Sequence, residues 1–308
     1  MEFRYLGRSG LKISEVTYGN WLTHGSQVEN EQATACVRAA LDNGITTFDT
    51  ADVYANTKAE TVLGEALKGE RRESLEIFTK VFGPIGPKGH NDLGLSRKHV
   101  MEAAHGSLGR LQTDYIDLYQ SHKDDITLPV TEPLEAYAEL LKEGKIRAIG
   151  ASNFKPERLQ AALDAAKDGL PRYESLQPEY NLYDREAFEK DDLTIVQASE
   201  IGVIPYFGLA AGFLTGKYRT EADLQKSARG EGIGKKYLNE KGLTLLKALD
   251  AVADRHSATQ AQVALAWLMQ APGITAPIAS GTSTAQVNEL TEAMNLQLTA
   301  DDVTELQG

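Results

Sequence analysis

Four side chains in the first half of the chain, Asp49, Tyr54, Lys80 and His122, have the types and spacing needed to move a proton at a carbonyl. Asp49 closes the run Ile45-Thr46-Thr47-Phe48-Asp49-Thr50, Lys80 closes Leu75-Glu76-Ile77-Phe78-Thr79-Lys80, and His122 closes Asp117-Leu118-Tyr119-Gln120-Ser121-His122; Tyr54 follows Asp49 by five residues. Each alone has a plain structural use: a strand-end Asp caps a helix, a Lys sits in solvent, a Tyr packs. Together they form a coherent acid. A phenol, with a pKa of about 10, is a useful proton donor near neutrality only if that value is lowered. A lysine ammonium beside it does so, with Asp49 keeping Lys80 charged and oriented. The expectation is a Tyr54 of lowered pKa that protonates a carbonyl oxygen, with His122 hydrogen-bonded to the same oxygen. Side chains supply no hydride, so a nicotinamide is the economical source. A second chemistry uses the same lysine: desolvated at a strand end, Lys80 could form a Schiff base in an isomerase or aldolase.

These residues must be held at the ends of strands. Eight β-rich runs, 15–20, 45–50, 75–81, 115–122, 146–153, 173–181, 203–208 and 275–280, alternate with amphipathic segments. Val100, Met101, Ala104, Leu108 and Leu111, like Leu134, Tyr137, Ala138 and Leu141, recur at helical spacing. Gly44, Gly144 and Gly202 each stand just before a strand, where a left-handed helix end favours glycine. The predicted fold class is α/β, a (β/α)8 TIM barrel forming one domain over residues 1–308, whose sites lie at the C-terminal ends of its strands. Residues 2–14 read as an N-terminal β-hairpin cap on the barrel floor. Residues 209–236 form a long glycine-containing stretch after the seventh strand, and extra helices near 243–255 and 259–270 precede the eighth. An open doubly wound sheet is the rival architecture, but the composition shows no break between two domains.

Other classes drop out. The chain has 308 residues, 42% of them hydrophobic and 25% charged, and its net charge of −12 opposes nonspecific binding to nucleic acid or anionic lipid. No apolar run approaches the roughly 20 residues of a membrane helix, and residues 1–5 do not resemble a signal or transit peptide, so a cytoplasmic location is expected. The single cysteine, Cys36, sits at helical spacing among apolar neighbours and reads as a packing residue. His24, His90, His99, His105, His122 and His256 lack metal-ligand spacing, so no metal is expected. Gly212-Phe213-Leu214-Thr215-Gly216-Lys217 misses the P-loop spacing, and Gly83-Pro84-Ile85-Gly86-Pro87-Lys88-Gly89 misses the dinucleotide fingerprint. There is no G-x-S-x-G nucleophile elbow.

The ordered set Phe48-Asp49-Thr50-Ala51-Asp52-Val53-Tyr54, Thr79-Lys80, Tyr119-Gln120-Ser121-His122, Gly150-Ala151-Ser152-Asn153-Phe154, Gln177-Pro178-Glu179-Tyr180-Asn181 and Gly212 to Tyr218 resembles the aldo-keto reductases. The resemblance implies the Asp49, Tyr54, Lys80, His122 tetrad and binding of NADP(H) without a Rossmann domain. It implies that Ser152, Asn153 and Gln177 hold the carboxamide and that Tyr206 stacks on the nicotinamide. Residues 5–11, 58–64 and 94–99 are similar to the branch containing potassium channel β subunits and their bacterial relatives. By that likeness residues 217–236, rich in Lys217, Arg219, Lys226, Arg229, Lys235 and Lys236, overlie the pyrophosphate, with Lys217 the residue chosen from them. The remaining implied cofactor contacts are Gly19, Asn20, Trp21, Asp49, Leu209, Gly212, Leu214, Gly216, Ser280, Thr282, Ser283, Gln286 and Glu289. The implied substrate pocket is Trp21, Tyr54, Phe82, His122 and Phe207.

Two departures stand out: Tyr206-Phe207-Gly208-Leu209 replaces the usual Tyr-Ser-Pro-Leu, and residues 280–286 carry no Lys or Arg. NADP is nevertheless expected over NAD, because hydroxyl and backbone donors at a helix N-terminus bind phosphate. Two functions stay open: reduction of a small aldehyde or ketone, and a nicotinamide-binding, redox-sensing regulatory subunit of a channel. No nucleic-acid or membrane partner is expected, and a homo-oligomer is left open.

Overall fold

In the computed structural model, which describes residues 1–308 apart from Leu22, Thr23, Gln27, Pro87, Lys88 and Ala228, eight parallel strands follow one another around a barrel. Pro87 and Lys88 of the glycine-rich loop and Ala228 of the long stretch after the seventh barrel strand thus lie outside the described residues. The hairpin comprises β1 (Phe3–Tyr5) and β2 (Lys12–Ser14), paired antiparallel. The barrel strands are β3 (Thr17–Gly19), β4 (Thr47–Asp49), β5 (Glu76–Val81), β6 (Ile116–Ser121), β7 (Ile146–Ser152), β8 (Tyr173–Gln177), β9 (Gly202–Val203) and β10 (Ile278–Ala279). β10 pairs with β3 and the order then runs in sequence to β9. The ring closes where the Thr275 and Ala276 amides donate to Val203 O (2.8 and 3.3 Å) and the Ile278 amide donates to Pro205 O (2.9 Å).

Helices α1 (Asn30–Asp42), α2 (Lys58–Ala66), α3 (Arg97–Leu111), α4 (Thr131–Lys142), α5 (Pro156–Lys167) and α6 (Leu193–Ala198) connect successive strands. Between β9 and β10 the chain forms α7 (Gly230–Tyr237), α8 (Glu240–His256) and α9 (Gln260–Gln270); α10 (Thr284–Glu292) and α11 (Ala300–Gln307) follow. The outer faces of the strands and the helices share one large apolar core. A second cluster joins Leu6 and Ile13 of the hairpin region to Phe78, Leu118, Ala148, Ile204 and Ala276. The hairpin therefore plugs the barrel floor, as its apolar residues predict.

Three details differ from the sequence expectation. β8, β9 and β10 are shorter than the runs 173–181, 203–208 and 275–280, because Pro178, Pro205 and Pro277 have no N–H to donate to a ladder. Their carbonyls still accept, from Tyr206, Ile278 and Thr17 respectively. Gly44 (φ 85°) and Gly144 (φ 70°) take left-handed helix ends, but at the third junction Glu200 (φ 52°) does so instead. Gly202 lies in β9, where a Cβ would fall 2.5 Å from Leu6 Cδ1 and 2.9 Å from Gly7 N. Its smallness admits the hairpin.

A similar constraint couples α2 to α3. A Cβ on Gly64 would lie 2.8 Å from the Arg110 carbonyl oxygen and from the Leu111 carbonyl. Gly64→Ala is expected to lower stability by about 1–3 kcal/mol, read as a lower urea midpoint. A raised midpoint would mean that the backbones separate and alanine's helix propensity prevails.

Candidate active site

The side-chain period of two in a strand decides what enters the barrel. In β5, Phe78 faces the floor cluster and Lys80, two residues on, faces the same interior one layer higher, while Thr79 points outward to Glu60 of α2. Asp49 pairs in register with Phe78, Lys80 with Gln120, and Gln120 with Gly150. A Cβ on Gly150 would fall 2.3 Å from Ser175 Oγ and 3.0 Å from Gln120 Cγ, so glycine makes the room that this polar layer needs.

Lys80 is fully buried, and its ammonium donates to Asp49 Oδ1 (2.5 Å), Thr50 O (2.7 Å) and Tyr54 OH (3.3 Å). Asp49 Oδ2 accepts from the side-chain amides of Gln120 (3.1 Å) and Gln177 (3.0 Å). Since the Tyr54 oxygen accepts from Lys80, its own proton is free to point elsewhere. The His122 ring stands edge-on to Tyr54, 5.6 Å between centroids. Burial pushes Lys80 down, but Asp49 and Tyr54 more than offset this, and its pKa lies above the usual lysine value. Burial, followed by Lys80 and Lys123, pushes His122 down to about 3, so at neutral pH it is an uncharged imidazole.

Tyr54 departs from expectation. Burial raises its pKa, Lys80 lowers it and Asp49 raises it again, and the net direction is upward. The lysine moderates the phenol's affinity for its proton without bringing it below the ordinary value.

Ser152, Asn153, Gln177 and Tyr206 are contiguous. Ser152 Oγ donates to Gln177 O (2.9 Å), Asn153 Nδ2 donates to His122 O (3.2 Å), and Tyr206 OH donates to Asn153 Oδ1 (2.7 Å). Asn153 adopts φ 54°, a conformation asparagine tolerates, and so leaves the strand direction. Trp21, 45% exposed, lies 6.2 Å from Tyr54 and 5.5 Å from Phe207 between ring centroids. Phe207 itself has φ 56°, held by bonds to its carbonyl from Asn181 Nδ2 (3.0 Å) and the Ala210 amide (2.7 Å). Phe82 packs half-buried against the main core, with no ring contact to this group among the described residues. Gly19 and Asn20 face structural demands: a Cβ on Gly19 would lie 2.4 Å from Ile278 Cγ2, and the buried Asn20 amide nitrogen bonds His24 Nδ1 (3.1 Å) and Ala59 O (3.3 Å).

After Leu209, residues Ala210, Ala211 and Gly212 all take positive φ, as does Gly216, so the chain coils tightly there. Leu214 is fully buried. Of the six basic residues in 217–236, four are neutralised: Arg219 by Asp250, Lys226 by Asp223, Lys235 by Glu231, and Lys236 by Glu179 and Asp184. Among the described residues Lys217, exposed beside Gly212, and Arg229, half-buried, have no carboxylate within 4.0 Å. Arg229 lies over the Trp21 ring at 5.8 Å, and its burial lowers its pKa. Nothing in the local sequence pattern separates Arg229 from its paired neighbours.

At the start of α10, Ser283 Oγ caps the Gln286 amide (3.3 Å), while Thr282 donates from N (2.8 Å) and Oγ1 (3.0 Å) to Gln286 Oε1. Ser280 is exposed and Glu289 half-buried. Sequence reasoning also left out Gln120, two residues before His122 and so of the same strand parity, and Thr50, which takes part through its backbone carbonyl. A cavity of about 430 Å³ lies elsewhere, among residues of α8, α11 and Leu182, and contains none of the tetrad. Among the described residues no cluster of acids, histidines and cysteine fits a metal, and no helix is long and apolar enough to cross a membrane.

The fold is a parallel (β/α)8 barrel with Asp49, Tyr54, Lys80 and His122 gathered at its strand ends, an architecture of barrel-type oxidoreductases. Residues 15–308 match the family model described as "Aldo/keto reductase family", and the chain belongs to that family. Members typically use NAD(P)H and act on small carbonyl compounds. The chain is 34% identical over 303 residues to a protein of Oryza sativa subsp. japonica named "Probable voltage-gated potassium channel subunit beta", covering 96% of this chain and 92% of the relative. An Arabidopsis thaliana protein of the same name is 34% identical over 304 residues, with the same coverage.

Burial also pushes His24 down to about 4. The unfolded chain takes up protons near pH 6.5, whereas folded His24 and His122 do so only near 4 and 3. Stability present above pH 6.5 is therefore lost as pH falls through that window, by about 3 kcal/mol for His24 once fully developed. Melting temperatures from pH 7 to 4 should fall, and His24→Gln should fall less steeply; parallel curves would refute the assignment.

Proposed function

We propose that this chain, as one barrel domain over residues 1–308, is an NADPH-dependent reductase of small aldehydes or ketones acting in the cytoplasm. The observation that carries this reading is the Lys80 ammonium, held by Asp49 and donating to Tyr54 OH. A nicotinamide supplies the hydride when bound. Tyr54 protonates the carbonyl oxygen of the substrate, and Lys80, fixed by Asp49, stabilises the phenolate left behind. Neutral His122 donates a hydrogen bond to the same oxygen and orients it. Because Tyr54 retains its proton at neutral pH, reduction is the favoured direction there, and alcohol oxidation calls for alkaline pH.

Ser152, Asn153, Gln177 and Tyr206 would hold the cofactor's carboxamide side, with Trp21 and Phe207 forming the aromatic mouth for substrate. The Gln177 amide nitrogen already serves Asp49, so its carbonyl side is the part free for a ligand. Lys217 and Arg229, the cations of the long loop without carboxylate partners, fit the phosphates, as do the donors at the start of α10. This supports NADP over NAD despite the absence of Lys or Arg in residues 280–286. The names of the plant relatives favour a second reading, a nicotinamide-binding regulatory subunit of a channel. The complete tetrad favours turnover.

Purified protein should oxidise NADPH in the presence of aromatic aldehydes or dicarbonyls, and Tyr54→Phe should lower kcat by about 10²–10⁴-fold while binding of NADPH, followed by fluorescence, is kept. NADPH binding without turnover of any carbonyl would favour the regulatory reading; equal rates in both forms would remove Tyr54 from the mechanism. NADPH should bind more tightly than NADH, and Arg229→Met should weaken it by about tenfold or more, the worth of one charged hydrogen bond. Tighter NADH binding would overturn the cofactor choice.

A further inference from the structure

Asp52 lies in the turn between β4 and Tyr54, and its amide donates to Lys80 O (3.2 Å). Its side chain is fully buried, and among the described residues neither carboxyl oxygen has a side-chain hydrogen-bond partner. The groups facing it are Glu60 from α2, Arg110 from α3, Lys80 from β5, Tyr119 from β6, Tyr137 from α4 and Tyr54 from its own turn. Both cations are already matched. Lys80 pairs with Asp49 (2.5 Å) and Arg110 with Glu60 (2.7 Å), whose other oxygen accepts from Thr79 Oγ1 (2.6 Å). The cluster is electrically neutral only if Asp52 is a neutral acid; ionised, it would be a third carboxylate against two cations, buried and with only the Val53 backbone amide toward it.

We propose that Asp52 is a positioning residue for Tyr54: buried between two completed ion pairs, it carries a proton while the site reduces its substrate, and once ionised it is the negative charge that keeps Tyr54 in its proton-donating form. Burial, reinforced by Glu60, pushes the Asp52 carboxyl up to about 8, with the Val53 amide, Arg110 and Lys80 pulling it back only in part. A carboxylate appearing there opposes formation of the Tyr54 phenolate. The inference rests on Tyr54 being the acid, as proposed above.

The test is a tyrosinate absorbance titration of Tyr54, taken as the difference between the parent and Tyr54→Phe, repeated in Asp52→Asn and Asp52→Ser backgrounds. Both neutral variants should ionise Tyr54 at lower pH, a change of about tenfold in its proton affinity, and the alkaline limb of kcat should move with it while KM holds. Infrared spectra of the parent should contain a carboxylic-acid C=O band at pH 7 that fades by pH 9 and is absent from both variants. No such band, an unmoved titration, or loss of folding in both variants would overturn the proposal, the last because the fold would then need the charge. The titration uses no substrate. A shifted titration without carbonyl turnover would overturn the reductase reading alone, and normal turnover with an unmoved titration would overturn this one alone.

Discussion

Removing an ammonium from water costs several kcal/mol even after a protein relaxes around it, and the fully buried Lys80 is tolerable only because every direction around it is filled. Three oxygens accept from it, and its counter-ion Asp49 is held in turn by the amides of Gln120 and Gln177. Those residues come from β4, β5, β6 and β8, so the pair can be satisfied only when the strands are curled into one barrel in one register. A slip of one residue in β5 would send Lys80 outward and Thr79 inward. Gly150 and the apolar floor below the polar layer follow from the same requirement, since the layer needs room above and a dry base beneath.

That arrangement also sets the character of the proposed acid. The low-dielectric surroundings that strengthen the Lys80–Asp49 attraction disfavour a phenolate, so Tyr54 is pulled in two directions and burial prevails. The same burial, together with the nearby lysines, leaves His122 uncharged. A neutral imidazole and a protonated phenol at one mouth, with Trp21 and Phe207 beside them, suit a neutral polar group such as a carbonyl.

Charge is distributed with comparable economy in the long loop after β9. Most of its cations are held to nearby acids, which orders the loop, and the two without such partners, Lys217 and Arg229, lie beside the left-handed coil at Gly212 and over Trp21. A half-buried guanidinium without a carboxylate is costly until an anion meets it.

By itself the sequence determined what depends on neighbours along the chain. Runs ended by Asp49, Lys80 and His122 mark the strands, and residues 2–14, two short runs around Gly7-Arg8-Ser9-Gly10, mark the hairpin, because strand and turn signals are local. The family motifs were legible in the same way, as fixed residue types in fixed order. Tertiary structure decided what depends on residues distant in the chain. The approach of Leu6 decides that position 202 must lack a side chain, and acids as far away as Asp250 decide which loop cations are neutralised. The direction in which Tyr54 holds its proton and the isolation of Asp52 between two completed ion pairs belong to the folded chain alone, since burial and long-range charge exist only once the barrel has closed.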